Sequence, residues 1–231
     1  MSTDSAAPSE VKTGVLLERD DGIRIVRLTS STDALAYRAG FAGVYQTVFA
    51  EAPYNERFYP SEAQAVLRSH LENQDSIVLL AVKGISQVVG FGLAVPVMSR
   101  ADVTRELRGL LPVRRSMYLS ELGVLPRYRG SGLGRMLVEM RLELIDMQRF
   151  DHVTLRTSAS RDGAYNMFMQ LGFEDMGVYM EVRSRRTEGN VSTDRRLFLC
   201  KHFLVGAADP EEESHSYDED TTDPETWLPD M

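Results

Sequence analysis

Cysteine, long apolar runs and an excess of basic residues are what this sequence lacks. Its 231 residues contain one cysteine, Cys200, so no disulfide can form within the chain, and a buried strand thiol is its expected role. No apolar run approaches the roughly 18 residues that a membrane span needs, and residues 1–13 lack the basic start and apolar core of a secretory signal. We therefore expect a cytoplasmic protein that makes no membrane contact.

Charge is unevenly distributed along the chain. The net charge of −8 comes from its end, because residues 207–231 hold 10 of the 34 acidic residues and no Lys or Arg. The other 24 acidic residues stand against 26 Lys and Arg, so residues 1–206 carry a net charge of +2. We expect a flexible N-terminal segment (1–13), one folded domain (14–206) and a disordered acidic tail (207–231). A near-neutral domain gives no reason to expect nucleic acid as a partner.

Strand and helix patterns alternate along the predicted domain. Apolar or alternating runs bounded by turn residues predict strands, and apolar residues at helical spacing predict helices. A helix over 33–50 is followed by a second one, for which Ser61 is the expected N-cap. The alternation predicts a single α/β domain. Its other predicted elements are strands over 15–18, 23–28, 77–82, 88–95, 117–125 and 152–157, helices over 133–147 and 164–171, and a hairpin of 177–182 with 196–203.

The most informative stretch, residues 129–134, reads Arg-Gly-Ser-Gly-Leu-Gly and lies between a predicted strand and a predicted helix. Leu133, Leu137 and Met140 begin the apolar face of that helix. The first N–H groups of a helix have no partner within it and carry partial positive charge, which suits a phosphate. Glycines let the main chain approach such a ligand closely. The pattern therefore indicates a site for a phosphate or diphosphate group.

Three other interpretations of this turn can be tested on the sequence. A nucleotide-binding P-loop ends in Gly-Lys-Ser/Thr, whereas Gly134 is followed by Arg135 and Met136. A dinucleotide-binding turn has the spacing Gly-x-Gly-x-x-Gly near the start of its unit, which the glycines at 130, 132 and 134 do not give. A plain strand-to-helix turn leaves three alternating glycines unexplained. The sequence therefore favours a different kind of phosphate-binding loop.

Together with two flanking segments, this stretch resembles the GCN5-related N-acetyltransferase (GNAT) superfamily. The resemblance lies in residues 122–134 (LGVLPRYRGSGLG), in 88–92 (VVGFG) before them and in 171–173 (LGF) after them, and the order and spacing match over residues 23–203. It implies a GNAT-like α/β fold, a single domain with a mixed, splayed central sheet flanked by helices. It also implies acetyl-CoA, or another acyl-CoA, as the cosubstrate in the gap of the sheet.

The resemblance also implies the contacts to acyl-CoA. The main chain at the end of the predicted strand pairs with the pantetheine arm, and N–H groups of the glycine-rich loop hold the pyrophosphate. The implied contact residues are Leu122, Val124, Arg129, Gly130, Ser131, Gly132, Leu133 and Gly134.

Two residues are candidates for proton transfer. Glu121 stands among apolar neighbours in the strand beside the acyl site, where burial would raise its pKa toward that of a useful base. Binding of the cationic amine, or simple solvation, are equally open roles for it. The family often carries a Tyr, as acid for the leaving thiolate, where this chain has Phe168. Tyr165 is the substitute candidate, although packing explains it as well, and solvent could protonate the thiolate instead.

The sequence and the resemblance to the family also indicate an acceptor site and a function. Tyr54, Phe58 and Tyr59 are candidates for the acceptor pocket, although an aromatic loop before a helix also serves as a hydrophobic staple. The four histidines show no metal-ligand spacing, and we expect no metal. We expect an N-acetyltransferase that moves the acetyl group of acetyl-CoA to a small-molecule amine by direct attack in a ternary complex. The alternative is a non-catalytic acyl-CoA-binding regulatory domain, and the sequence leaves open whether the chain forms a homodimer.

Overall fold

The computed structural model describes residues 14–161 and 163–203, so the predicted segments 1–13 and 207–231 lie outside the described residues. Within the described ranges the chain forms eight strands, five α-helices and three short 3-10 helices. The strands are β1 (Gly14–Glu18), β2 (Ile23–Leu28), β3 (Ile77–Lys83), β4 (Gln87–Pro96), β5 (Ser116–Val124), β6 (His152–Ser158), β7 (Glu174–Arg185) and β8 (Val191–His202). The helices are α1 (Arg38–Ala50), α2 (Pro60–Leu71), α3 (Ala101–Leu107), α4 (Leu133–Glu143) and α5 (Ala164–Gln170).

These strands form one mixed sheet in the order β1-β2-β3-β4-β5-β6-β8-β7. The β5–β6 pair is parallel, and every other neighbouring pair is antiparallel. β5 and β6 pair only over Ser116–Leu119 and His152–Leu155, whereas β5 stays paired with β4 as far as Val124. Beyond Leu119, β5 and β6 therefore diverge, and one edge of β5 has no strand partner among the described residues. The predicted α/β domain with a mixed, splayed sheet is confirmed.

Helices cover both faces of the sheet. α1 and α2 pack apolar side chains against one face, in a cluster that includes Phe41, Tyr45 and Phe91. α4 and α5 pack against the other face, where Leu133 and Leu137 are buried in a second cluster. Of the helices formed by residues 14–161 and 163–203, none combines the length and the apolar composition that crossing a membrane requires.

Two helices begin elsewhere than the sequence pattern predicts. The predicted start of α1 at Asp33 is wrong, because this carboxylate accepts hydrogen bonds from two preceding N–H groups and holds a turn there, so the helix begins at Arg38. The predicted N-cap at Ser61 is also wrong, because α2 begins at Pro60 with Tyr59 as its N-cap. Proline suits the first helical position, where its missing N–H would have no partner within the helix.

A β-bulge interrupts the β4–β5 ladder beside the point of divergence. Leu93 pairs with Glu121 and Val95 pairs with Tyr118, so β5 has one more residue than β4 between these two pairs. A bulge bends its strand and takes main-chain groups out of the ladder. The bulge therefore coincides with the place where β5 leaves β6, two residues or fewer from Leu119.

The β7–β8 hairpin reaches the loop between α1 and α2, residues 51–59. Two main-chain hydrogen bonds join them, one of which runs from the Arg57 N–H to the Arg185 carbonyl (2.7 Å). The Arg196 guanidinium of β8 also forms a buried ion pair with the Glu56 carboxylate of the loop (2.6 Å). The hairpin and the loop therefore form a continuous wall above the splayed end of β5.

Candidate active site

The glycine-rich loop follows β5 and leads into α4. Gly130 (φ +74°) and Gly132 (φ +80°) both adopt the left-handed backbone conformation, which costs other L-residues roughly 1–2 kcal/mol. A Cβ built at either glycine would meet no atom of the described residues within 4 Å. The loop therefore combines a conformation that favours glycine with open space in front of it.

Two side chains of the loop stabilise its shape. Arg129 Nε donates to the Val124 carbonyl (3.0 Å), and its Nη1 forms an ion pair with Glu51 (2.8 Å). The Ser131 hydroxyl donates to the Tyr128 carbonyl (2.8 Å). Because these bonds engage both side chains with the protein, a ligand in front of the loop would be held mainly by main-chain N–H groups.

A cavity of about 620 Å³, called the glycine-loop cavity below, adjoins the loop, the free edge of β5 and the start of α5. Seven of the eight predicted acyl-CoA contact residues line it, and Ser131 is the exception. The fold therefore brings the predicted strand end and the predicted loop to one site. The seven residues are Leu122, Val124, Arg129, Gly130, Gly132, Leu133 and Gly134.

A second cavity, of about 660 Å³, meets the first and is called the charged cavity below. Leu122, Thr157, Ala164 and Tyr54 line both cavities, so the two join where β5 and β6 diverge. Arginine dominates the charged lining, which includes seven arginines and three glutamates. They are Arg57, Arg100, Arg141, Arg156, Arg183, Arg185, Arg196, Glu56, Glu62 and Glu121.

The three aromatic candidates for the acceptor pocket occupy different environments. Tyr54 and Phe58 line the charged cavity, whereas Tyr59 does not line it and is 47% exposed. The Tyr59 ring lies instead beneath the guanidinium of Arg185, with 5.0 Å from the carbon to the ring centre. The structure therefore brings two of the three aromatic residues to the site.

Glu121 lies in the charged cavity at the bulge of β5. Its side chain is only partly buried because it faces the cavity. Burial nevertheless raises its pKa to about 7, while the guanidinium groups of Arg100 and Arg156 act in the opposite direction. Tyr45 of α1 interacts with the same carboxylate, and burial together with this charge raises the pKa of Tyr45 well above its usual value. At neutral pH, Glu121 is thus divided between its two protonation states.

Arg141 of α4 is fully buried behind the bulge, and the sequence-based reasoning missed it. Its Nη1 donates to the carbonyls of Leu93 (2.8 Å) and Glu121 (3.0 Å), which belong to the pair at the edge of the bulge. Burial lowers its pKa to about 9, and its Nη2 has no hydrogen-bond partner within the described part of the chain. Gly92 makes room for it, because a Cβ there would lie 2.9 Å from Arg141 Nε. The available signal was a charged residue on the apolar face, eight positions after Leu133.

Arg100 and Arg156 form the cationic side of the same cavity. Arg100 donates from Nε and Nη2 to the Asp102 carboxylate (both 3.2 Å), and Arg156 donates from Nη1 to the same carboxylate (3.3 Å). The fully buried ring of Tyr118 lies 5.6 Å from the guanidinium carbon of Arg100 and 6.0 Å from that of Arg156. One carboxylate and one aromatic ring therefore fix two arginines near Glu121.

The two positions considered for the acid differ in their relation to the cavities. Phe168 lines the charged cavity, but its ring has no proton to donate. The Tyr165 hydroxyl donates to the Asp175 carboxylate (3.4 Å), and Tyr165 is absent from the lining of both cavities. The structure therefore does not bring Tyr165 together with Glu121.

Burial keeps two other reactive groups neutral. His70 contacts the Val66 carbonyl through Nδ1 (2.7 Å) and the Ser120 hydroxyl through Nε2 (2.8 Å), and burial lowers its pKa to about 4. Burial raises the pKa of the Cys200 thiol in β8 to about 11. Over residues 14–161 and 163–203, no three His, Cys, Asp or Glu side chains group so that they could hold a metal ion.

Comparison with known proteins gives one family. The family model described as "Acetyltransferase (GNAT) family" matches residues 42–173, which is more than half of the chain. N-acetyltransferase 8B of Rattus norvegicus is 29% identical over 114 residues, which cover 49% of this chain and 46% of that protein. The match thus spans about half the length of this curated relative. The resemblance drawn from the motifs is confirmed.

Solved structures share the fold at low sequence identity. The ribosomal-protein-S18-alanine N-acetyltransferase of Escherichia coli has a TM-score of 0.55 at 15% identity, with 81% of this chain and 97% of that chain covered. The NatC complex bound to Gag peptide and CoA has a TM-score of 0.51 at 18% identity, with 78% and 98% covered. At these identities the similarity concerns the fold alone.

Proposed function

Because the chain belongs to the GNAT acetyltransferase family, we propose that it transfers an acetyl group from acetyl-CoA to the amine of a small molecule. The observation that carries this proposal is the meeting of two cavities beside the splayed end of β5. The glycine-rich loop lines one cavity, and Glu121 lies in the other. Donor and acceptor can therefore be held side by side, and holding two reactants in line supplies much of the acceleration in such reactions.

Acetyl-CoA fits the glycine-loop cavity on two grounds. The space in front of Gly130 and Gly132 is open and adjoins the start of an 11-residue helix, which suits the pyrophosphate. The free edge of β5 at Leu122 and Val124 offers main-chain groups to the amide-rich pantetheine arm. When bound, acetyl-CoA supplies an acetyl group activated as a thioester.

Glu121 takes the role of general base. A base works best when its pKa lies near the working pH, and burial brings the pKa of Glu121 to about 7. The carboxylate accepts a proton from the ammonium group of the acceptor, either directly or through a water molecule. Its position in the cavity that joins the donor site supports this role.

Tyr54 is the side chain that we assign to protonation of the leaving thiolate. It is the one tyrosine among the residues shared by the two cavity linings, and it interacts with Thr157, which lines both cavities as well. Burial raises the pKa of Tyr54, while the Arg196 guanidinium, 4.4 Å from its ring centre, opposes this effect. The hydroxyl therefore stays protonated at neutral pH and is available as a donor.

The wall above the charged cavity favours a small acceptor over a protein. The hairpin and the α1–α2 loop are joined by main-chain hydrogen bonds and by the buried Glu56–Arg196 ion pair. A polypeptide that passed through this side of the cavity would have to break those bonds. A compact amine needs only a volume such as the 660 Å³ found here.

The test combines acetyl-CoA binding with turnover. Calorimetry measures acetyl-CoA affinity, and release of free CoA thiol is followed with a panel of primary amines and N-terminal peptides, with acetylated products identified by mass. We expect binding and amine-dependent CoA release with small amines. Binding without release for any amine or peptide would instead support the acyl-CoA-binding regulatory domain, which Phe168 in place of the family's Tyr favours.

A further inference from the structure

We propose that the acceptor is an amino acid, an amine with a carboxylate close to it, and that Arg100 and Arg156 bind this carboxylate. The inference rests on the function proposed above and names the substrate class of the same site. It starts from the charge and the free hydrogen-bond donors of the charged cavity.

The two guanidinium groups share one hydrogen-bonded carboxylate. Asp102 accepts hydrogen bonds from both Arg100 and Arg156 at 3.2–3.3 Å. The Tyr118 ring supports both cations, at 5.6 and 6.0 Å from its centre. Two cations are thus held in place with one hydrogen-bonded carboxylate between them, and Glu121, whose pKa is raised to about 7, offsets the second positive charge only in part.

Donors of both arginines remain available to a ligand. Arg100 uses Nε and Nη2 on Asp102, and Arg156 uses Nη1 on Asp102 and on Met180 Sδ. Within the described residues, Arg100 Nη1 and both Nε and Nη2 of Arg156 have no hydrogen-bond partner. Arg156 thus retains two donors in the planar arrangement that binds a carboxylate through two parallel hydrogen bonds.

The charge of the whole lining has the same sign. Seven arginines line the cavity against three glutamates, two of which form ion pairs with Arg196 and Arg185. One of the seven, Arg141, is buried behind the bulge and also acts on Glu121. A simple ammonium ion would therefore meet a cavity of its own sign, whereas a carboxylate on the same molecule offsets that repulsion.

The base and the cations line the same cavity. Glu121, Arg100 and Arg156 all belong to the lining of the charged cavity, and both arginines act on the Glu121 carboxylate, because they oppose the rise of its pKa. One small acceptor can therefore present its amine to Glu121 and its carboxylate to these arginines. An amino acid carries both groups on one small molecule.

The test uses matched acceptors that differ only in the carboxylate. CoA release is measured with a series of amino acids, with the corresponding decarboxylated amines and with the amino-acid amides. We expect kcat/KM to be roughly tenfold to a hundredfold higher for the amino acids, which is the effect of a charge-assisted hydrogen bond. Equal use of the three classes would overturn the inference and leave the acetyltransferase proposal intact.

Variants identify the residues that bind the carboxylate. Arg156→Met and Arg100→Met are expected to raise KM for the amino acids roughly tenfold or more beyond any change for the decarboxylated amines, and Arg156→Lys to restore part of the difference. Loss of either cation also shifts the pKa of Glu121, and this effect is common to both acceptor classes. Arg105→Met is the matched control, because its side chain on α3 is 74% exposed and lies outside the cavity lining. Equal losses for both acceptor classes in both Met variants contradict the assignment.

A binding measurement separates failure of this inference from failure of the proposed function. Calorimetry with N-acetylated amino acids and N-acetylated decarboxylated amines needs no turnover. Tighter binding of the carboxylates to the wild-type protein, lost in Arg156→Met, supports the inference even if no amine is acetylated. Absence of that preference overturns it, whatever the turnover assays give.

Discussion

The two cavities that meet at the splay of the sheet are built in opposite ways. The glycine-loop cavity takes its predicted contacts from one continuous stretch, residues 122–134, and offers main-chain groups. The charged cavity takes its principal side chains from four separate places, Arg100, Glu121, Arg141 and Arg156. Recognition by main chain leaves a local motif in the sequence, whereas recognition by side chains is assembled by the fold and leaves no local motif.

The largest expected effect tests the charged cavity. Glu121→Gln is expected to lower kcat on the order of a hundredfold near neutral pH, because the variant has no base, and to leave acetyl-CoA affinity unchanged in calorimetry. Glu139→Gln is the control, since this glutamate of α4 lines neither cavity. A loss of acetyl-CoA affinity comparable to the loss of kcat would mean that Glu121 also contributes to acetyl-CoA binding, contrary to the separate roles assigned to the two cavities.

The pH profile sharpens that result. The pKa of Glu121 is raised to about 7, mainly by burial. The nearby charge of Glu56 also raises this pKa, whereas Arg100, Arg156 and a hydrogen bond with Tyr45 lower it. Wild-type kcat/KM is therefore expected to rise as pH passes through about 7, where the base loses its proton, and the Gln variant to lack this step. If the step persists in Glu121→Gln, the base is another group.

The glycine-loop cavity is tested by a change of backbone freedom. Gly132→Ala is expected to weaken acetyl-CoA binding roughly tenfold, because φ +80° is unfavourable for alanine and its Cβ enters the space of the ligand. Gly84→Ala is the matched control, with φ +61°, open space and a place outside both cavities. Acetyl-CoA affinity is measured by calorimetry on both variants. If both lose affinity equally, the glycine-rich loop has no special role in binding.

Stability should also depend on the charged cavity. The pKa of Glu121 is raised in the folded protein, so ionisation of its carboxyl group opposes folding. The favourable contribution of this residue to stability is fully present below pH 4.5 and is lost as pH rises through about 7. Because solvent in the cavity screens part of the charge, the expected effect is small. Between pH 5 and pH 8, the free energy of unfolding of Glu121→Gln should rise by only about 1 kcal/mol relative to that of the wild type. Urea unfolding at both pH values measures this, and an unchanged difference contradicts it.

The smallest expected effect concerns the junction of the cavities. Tyr54→Phe is expected to lower kcat about threefold, because solvent can replace the hydroxyl as the proton source. A more acidic leaving thiol, in an acetyl thioester analogue, should reduce the difference between variant and wild type. Tyr165→Phe is the comparison, with no loss expected, because its hydroxyl contacts Asp175 away from both cavities. A larger loss in Tyr165→Phe would reverse the assignment of the acid.

The sequence predicted most of the fold because its signals are local. Apolar runs located the strands, and the alternating glycines located the turn into α4. The starts of α1 and α2 were predicted wrongly, because Asp33 and Pro60 act through turn geometry and not through apolar spacing. The local sequence pattern therefore predicted the existence of the elements more accurately than their first residues.

Only part of the candidate site could be predicted from the sequence. Glu121 stood out as a carboxylate in an apolar strand, and its raised pKa follows from that setting. Arg100 and Arg156 gave no signal, because 55 residues of chain separate two side chains that converge on Asp102. Convergence of this kind depends on the β5–β6 pairing and on α3, neither of which a motif encodes.

The contact between Gly92 and Arg141 has a consequence for the history of the protein. With 2.9 Å between a Cβ at position 92 and Arg141 Nε, a larger residue at 92 would force the Arg141 side chain out of its present position. Among related sequences, the two positions should therefore vary together, with glycine at 92 wherever arginine occupies 141. An alignment in which arginine at 141 occurs freely with larger residues at 92 would show that the bulge is supported in another way.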